Sequence, residues 1–373
     1  MTGKLLLRRN AIGLALLSAL LVPALAQSGE DWPSYRGGPT MSGVAHTALA
    51  PPFSLKWTYE TGSSVESTAA IVGDTVFIAT KTGAVHALRL SDGERIWKFI
   101  SGGAGFSASP CVVGDRVHVG DEAGVFWALS RGSGHELWKW TTGGKIMSSA
   151  TATGESLLFG SYDNFLYDFN LTGDKRWSFR TEAQVHCAPC VAEGLALIAG
   201  CDGKLRMVDL ESHAQRRAVD LGGNYAAAPA YQGGSVYLGN MLGQYMRVRV
   251  ADGQILWQQT DSADGAAFYA SAAVTDGAAV FASRSGLVFR ALVASGYAKW
   301  VFRTGGQINS SPVICGDYVY FGGDDGNLYG VRLSDGQEVW RFSAGAPVYA
   351  SPALGQGRLV IGSTDGAVYC FGS

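Results

Sequence analysis

Residues 310–342 read SSPVICGDYVYFGGDDGNLYGVRLSDGQEVWRF. Ser311 to Ile314 is a short apolar stretch, Gly316-Asp317 makes a turn, and Tyr318 to Phe321 alternate as a second strand. Asp325-Gly326 is a good two-residue hairpin signal. Asn327 to Leu333 follow as a third strand, and Asp335-Gly336 turns the chain into a fourth over Gln337 to Phe342. Four antiparallel strands in roughly forty residues form a sheet that cannot bury both faces alone, so it must stack on neighbours of its own kind.

Those neighbours are present along the chain. Trp57, Trp97, Trp138, Trp177, Trp257, Trp300 and Trp340 lie 40, 41, 39, 80, 43 and 40 residues apart, the gap of 80 being two repeats with Arg217 in the vacant slot. A second marker, Ala69, Pro110, Ala150, Pro189, Pro229, Ala272, Pro312 and Pro352, runs in phase with the first and agrees on every insertion. Seven full units start near residues 63, 104, 145, 184, 224, 266 and 307, and the tail from Pro347 to Ser373 holds only three strands. The missing strand is Leu55 to Tyr59, at the other end of the chain. The fold expected is therefore all-β, an eight-bladed β-propeller over residues 53–373 closed by pairing of N- and C-terminal strands, which removes the edges a linear array would expose. Blade 4 is expected to be the least regular, because Arg217 replaces the tryptophan and Glu211-Ser212-His213 stands where other units carry a Gly turn.

Composition agrees with strands joined by many tight turns: 51 of 373 residues are Gly, about twice average usage. Residues 1–26 read as a cleavable signal peptide, with basic Lys4, Arg8 and Arg9, an apolar run from Ala11 to Val22 and small residues before Gln27. Asn10-Ala11 after Arg8-Arg9 is a poor twin-arginine match, which favours the general secretory route. The first Cys is Cys111, so no lipid-anchor site is expected near the cut. Residues 27–52 form a lead-in segment. Without the signal, 26 basic residues face 31 acidic ones, a balance that excludes the basic face nucleic acid demands. A monomeric periplasmic or secreted protein without a membrane anchor is expected.

The run Ala87-Leu88-Arg89-Leu90-Ser91-Asp92-Gly93-Glu94-Arg95-Ile96-Trp97 resembles the tryptophan-docking motif of PQQ-repeat propellers, and Gly330 to Trp340 and Ala251 to Trp257 look similar. Trp32-Pro33-Ser34-Tyr35-Arg36-Gly37 resembles the W-P-x-x-R-G segment of many bacterial members. The resemblance covers residues 32–373 and implies one of two functions. Quinoprotein dehydrogenases of the family hold PQQ and Ca²⁺ on the axis; its non-enzymatic propellers include a subunit of the outer-membrane β-barrel assembly machinery. An alcohol or sugar dehydrogenase would need oxygen ligands for Ca²⁺, a carboxylate base and cations for the cofactor's carboxylates. This chain lacks the vicinal Cys pair and the long insertions of the enzymes, since every blade is 39 to 43 residues. The expectation is a non-catalytic scaffold for periplasmic or outer-membrane proteins, with no PQQ, no Ca²⁺ and no catalytic residues; the alternative is a PQQ-dependent oxidoreductase.

The repeated tryptophans read as packing devices between sheets rather than as ligand platforms. Function is sought where the repeat stops repeating. Three residues before each Pro/Ala marker stand Glu66, Ser107, Met147, His186, Ala226, Tyr269, Asn309 and Tyr349, between a slot that is always apolar or aromatic and one that is always small. This varied slot opens the innermost strand, at one mouth of the central channel, and all but Ala226 are the candidate binding residues. A ring scatters Glu66, His186 and Asn309 around the axis, so no metal site is expected. His186-Cys187-Ala188-Pro189-Cys190 has the wrong order for haem attachment and lies on a strand rather than at the helix start a redox pair favours. Cys190 reads as core, and a Cys187–Cys201 bridge is left open.

Overall fold

A computed structural model describes residues 1, 30–154, 156–261 and 265–373; apart from Met1, the expected signal peptide lies outside them. Eight antiparallel sheets succeed one another along the chain. Blades 1 to 7 span residues 70–100, 111–141, 151–180, 190–220, 230–260, 273–303 and 313–343. Blade 8 consists of Ala353–Gly355, Arg358–Gly362 and Ala367–Gly372, and its outermost strand is Ser54–Glu60, paired from Ser54↔Gly372 to Glu60↔Ala367. The ring closes as the strand count requires.

Each blade runs outward from a three-residue inner strand, fully buried in blades 1, 4, 7 and 8, to a six- or seven-residue outer strand that shows alternate side chains to solvent. The outer strands end the sheets and would template further pairing. They carry twelve Lys or Arg against four acidic residues, and such charge blunts a strand edge against aggregation.

Neighbouring blades are joined by the tryptophans. Trp57 Nε1 donates to Leu90 O at 2.8 Å, Trp97 to Arg131 O at 2.8 Å, Trp138 to Leu171 O at 3.1 Å and Trp300 to Leu333 O at 2.8 Å, each reaching the turn of the next blade. The ring lies on the glycine of that turn: at Gly93, with φ +77°, a Cβ would fall 2.7 Å from the Trp57 ring. Trp340 instead packs edge-on against Phe53 and Phe371 of the closing blade.

Blade 4 departs from this pattern only in its docking. Its outer strand Gln215–Asp220 keeps a five-pair register with a bulge like its neighbours', so the backbone is regular. His213 (φ +60°) takes the left-handed turn position and stacks on Trp177 at 5.1 Å. Arg217 lays its stem on Gly253 of blade 5, where a Cβ would meet Cδ at 2.6 Å. An Arg217→Trp variant is therefore expected to gain about 1 kcal/mol in urea unfolding; an unchanged or lower midpoint would show this seam to be fully packed already.

The lead-in segment is built into the ring. Six inner strands present an edge N–H towards the axis, and the segment accepts them in succession. Ile71 N donates to Trp32 O, Val112 to Pro33 O, Val191 to Pro39 O, Tyr231 to Thr40 O, Val274 to Ser42 O and Ile314 to Gly43 O, all at 2.7–2.9 Å. Val44–Ala45 then adds as a short parallel strand beside Ile314 and Cys315. A buried backbone donor without a partner is costly, and here one strip of chain serves blades 1, 2 and 4 to 7.

Candidate functional site

The eight varied positions line one funnel of about 360 Å³ at the mouth of the axis. The slots that flank them explain why. Val65, Phe106, Ile146, Val185, Tyr225, Phe268, Ile308 and Val348 are buried, as are Ser67, Ala108, Ser148, Cys187, Ala227, Ala270, Ser310 and Ala350. The large slot presses on the end of the preceding blade: a Cβ at Gly120 would lie 2.1 Å from Ile146, and one at Gly362 2.2 Å from Val65. With both neighbours fixed in packing, Glu66, Ser107, Met147, His186, Tyr269, Asn309 and Tyr349 remain half-buried and converge on the opening. Ala226 completes the ring.

A second ring stands above this one. Lys81, Glu122, Tyr162, Cys201, Met241, Arg284, Asp324 and Thr364 each open the turn between the second and third strands. Each N–H bonds the loop that enters the same blade, as in Lys81 N to Ser64 O at 3.0 Å and Asp324 N to Gln307 O at 2.9 Å. Apart from Cys201, weighed only as a bridge partner of Cys187, these residues escaped the reading of the sequence, although their spacings of 41, 40, 39, 40, 43, 40 and 40 repeat the Pro/Ala ladder. A third ring forms the base. Thr68 N donates to Ser109 Oγ, Ser109 N to Ser149 Oγ, Ala228 N to Ser271 Oγ, Ser271 N to Ser311 Oγ and Ser311 N to Ser351 Oγ, at 2.9–3.0 Å from blade to blade. Tyr35 of the axial segment forms the floor, its hydroxyl 3.1 Å from Ser271 Oγ and 3.0 Å from Ser311 Oγ.

The polar groups of the funnel are largely engaged with one another. Lys81 bridges Glu122 and Ser107 and lies 3.8 Å from Glu66. Ser107 Oγ donates to Glu122 at 2.7 Å. Burial opposes the charge on Glu122, but Lys81 and Ser107 outweigh it and hold the carboxyl below its usual range. Asn309 Nδ2 donates to Asp324 at 3.1 Å; burial pushes that carboxyl up, against the pull of Asn309 and Arg284. Arg284 lies over the Tyr269 ring at 4.5 Å, and Tyr162 hydroxyl meets His186 Nδ1 at 2.6 Å, where burial lowers the imidazole.

A nucleophile or a metal cage would need a different arrangement. The Cys187 thiol donates to Ala199 O at 2.7 Å, and burial pushes its pKa up to about 12, which makes it a core thiol rather than a reactive one. Cys190 donates to Thr40 O of the axial segment, and Cys187 and Cys201 are both free thiols. Among the described residues no three His, Cys, Asp or Glu side chains gather to hold a metal ion. The mouth carboxylates divide between Lys81 on blades 1–2 and Asn309 on blade 7, so they do not form the convergent oxygen set that Ca²⁺ takes. The residues present do not fit a PQQ–Ca²⁺ pair.

Among the described residues no helix is long and apolar enough to cross a membrane. No curated protein matches the chain. Among solved structures, BamB from Moraxella catarrhalis superposes with a TM-score of 0.75 at 17% identity, over 87% of this chain and 98% of the other. Quinohemoprotein alcohol dehydrogenase from Comamonas testosteroni gives 0.79 at 12% identity, over 92% and 80%. A europium-containing methanol dehydrogenase gives 0.78 at 11% identity, over 92% and 98%. These likenesses share the eight-bladed fold and do not separate scaffold from enzyme. The family model described as outer membrane protein assembly factor BamB matches residues 41–157 and 128–342, and with repeats, closure and tryptophan docking all in place, this chain belongs to that family of PQQ-repeat propellers.

Proposed function

We propose that this protein is a non-catalytic scaffold of the cell envelope that binds periplasmic or outer-membrane proteins through its funnel face. The observation that carries the reading is the filled axis. Where a ligand-holding propeller needs an open centre, residues 32–45 here occupy it, and Tyr35 closes the funnel at its base. What remains is a shallow polar bowl whose cations and carboxylates largely neutralise each other, with Tyr269 and Tyr349 on its wall. Aromatic side chains in such a recess are the usual anchors of an interface. The opposite face carries short turns such as Gly73-Asp74, Gly114-Asp115 and Gly316-Asp317, which repeat with little variation and offer less to recognise. Membership of a family named for outer-membrane protein assembly supports partners of that class. Export through the signal peptide of residues 1–26 would bring the chain to them, as a monomer without a membrane anchor.

A photoreactive side chain placed at Tyr269 or Tyr349 is expected to crosslink envelope proteins in living cells, whereas the same group at Asp74 or Asp115 is not. Adducts formed only from Asp74 or Asp115 would put the interface on the other face. A rise in melting temperature with PQQ and Ca²⁺, accompanied by dye reduction with alcohols or sugars, would replace the scaffold with the oxidoreductase.

A further inference from the structure

Blades 1 to 7 turn from their third strand into their fourth on the face opposite the funnel, and blade 6 does so with a different chemistry. In blades 1, 5 and 7 the turn opens on Arg89, Arg249 or Arg332. That guanidinium holds Asp92, Asp252 or Asp335 at 2.7–2.8 Å and also bonds Glu94, Gln254 or Gln337. Ser130, Asn170 and Asp209 open the turn in blades 2, 3 and 4. In blade 6 the same three positions read Leu292, Ser295 and Tyr297. The backbone is unchanged, with Leu292 N bonded to Tyr297 O at 2.9 Å as Arg89 N is to Glu94 O at 2.8 Å. Leu292 is 43% exposed and Tyr297 66%.

Val301, 56% exposed, carries the apolar surface up the outer strand. A polar residue follows every other docking tryptophan, Lys98, Lys139 and Arg341 among them. Trp300 and Phe302 turn towards blade 7, so Lys299, Val301 and Arg303 lie on the exposed side. From Gly277 to Gly316 the sequence holds four cations and no Asp or Glu, in a chain with 31 acids. Arg284 lines the funnel and Arg290 bonds Gly277 O and Leu333 O, which leaves Lys299 and Arg303 to solvent. Neither has an ion-pair partner among the described residues. The acids of the adjoining turns, Asp252 and Asp335, are held by their own arginines. Charge that only blunts a strand edge needs no apolar neighbours. Apolar side chains exposed together inside a polar rim mark a contact surface.

We propose that this strip of blade 6 is a contact surface for an anionic lipid bilayer. Lys299 and Arg303 meet headgroup phosphates, Tyr297 sits at headgroup level, and Leu292 and Val301 enter the acyl boundary. The charge fits that partner: a blade with four cations and no acid belongs to a chain that is otherwise acidic, so the attraction to a negative surface is confined to one sector of the ring. The strip follows the outermost strand and its turn, the part of the blade that a flat surface reaches first. Two cations and three apolar side chains give a reversible contact rather than an anchor. The contact goes beyond the scaffold reading and does not depend on it, since the funnel opens on the other face and stays free for proteins.

The test is flotation of the chain from residue 27 to 373 with vesicles of phosphatidylcholine, with and without phosphatidylglycerol. Binding is expected only with phosphatidylglycerol present, and it should weaken as salt rises. Lys299→Gln and Arg303→Gln should each lower the vesicle partition coefficient about fivefold. A triple variant, Leu292→Arg with Ser295→Asp and Tyr297→Gln, gives blade 6 the turn that blade 7 already carries and leaves the net charge unchanged. It is expected to melt with the wild type and to lose most of the binding at physiological salt. Equal flotation with and without phosphatidylglycerol would overturn the proposal, as would no flotation at all or a triple variant that binds like the wild type. A wild type that sediments as a dimer without binding vesicles, beside a monomeric triple variant, would make the strip an interface between copies instead.

Discussion

A Gly43→Ala variant is expected to lose about 3–5 kcal/mol of stability, while Gly38→Ala, five residues earlier in the same segment, loses well under 1 kcal/mol. Gly43 adopts φ +64°, where an L side chain costs about 1–2 kcal/mol by itself. Its new methyl would also lie 1.7 Å from Nη2, 2.3 Å from Cζ and 2.9 Å from Nε of Arg36. The guanidinium is enclosed and held to Ala272, so it cannot swing aside without breaking that bond or opening the axis. Gly38 is extended, at φ 171°, and a Cβ there meets nothing within 4 Å. Urea unfolding of both variants reads the difference. Equal losses would mean that residues 32–45 are bound loosely and that the ring does not depend on its axial segment.

Acid is expected to destabilise this propeller steeply, and two histidines in the core set the window. His118 is wholly buried, stacked on Phe126 and tilted against Trp138, and neither ring nitrogen has a partner among the described residues. Burial, helped by Arg116, lowers its pKa to about 3. His86, beside Tyr59 hydroxyl at 3.1 Å, is lowered to about 4 by burial and by Lys98 and Arg95. Both values lie below the ordinary imidazole value near 6.5, so the unfolded chain binds protons that the folded one refuses. The stabilising contribution is full above about pH 6.5 and is lost as pH falls through 4 and then 3. While both groups are titrating in the unfolded chain alone, the slope approaches about 2.7 kcal/mol per pH unit. His118→Phe should remove about half of that slope. It should also raise stability at neutral pH by about 1–3 kcal/mol, because two unsatisfied buried nitrogens disappear. Unfolding midpoints measured from pH 7 to pH 4 test both effects; a His118→Phe variant with the wild-type slope would mean that His118 reaches water in the native state.

The sequence by itself determined the ring. Strand, turn and tryptophan recur at one spacing, and a sheet that must be covered on both faces permits only a closed stack; the three-strand tail and the lone strand at Trp57 then give the closure. The varied slot from Glu66 to Tyr349 was legible for the same reason, since its neighbours, apolar or aromatic on one side and small on the other, mark it as the position released from packing. The ring from Lys81 to Thr364 was encoded equally well, but its residue types differ so widely that no marker drew attention to the shared spacing. Only the tertiary structure decided what fills the axis. Trp32-Pro33-Ser34-Tyr35-Arg36-Gly37 has no period, and its partners at Ile71, Val112, Ala272 and Ser311 lie from 39 to 276 residues away. Its carbonyls find donors only once the inner strands point their free edges at one line, and Arg36 becomes a buried charge only when the ring has closed around it.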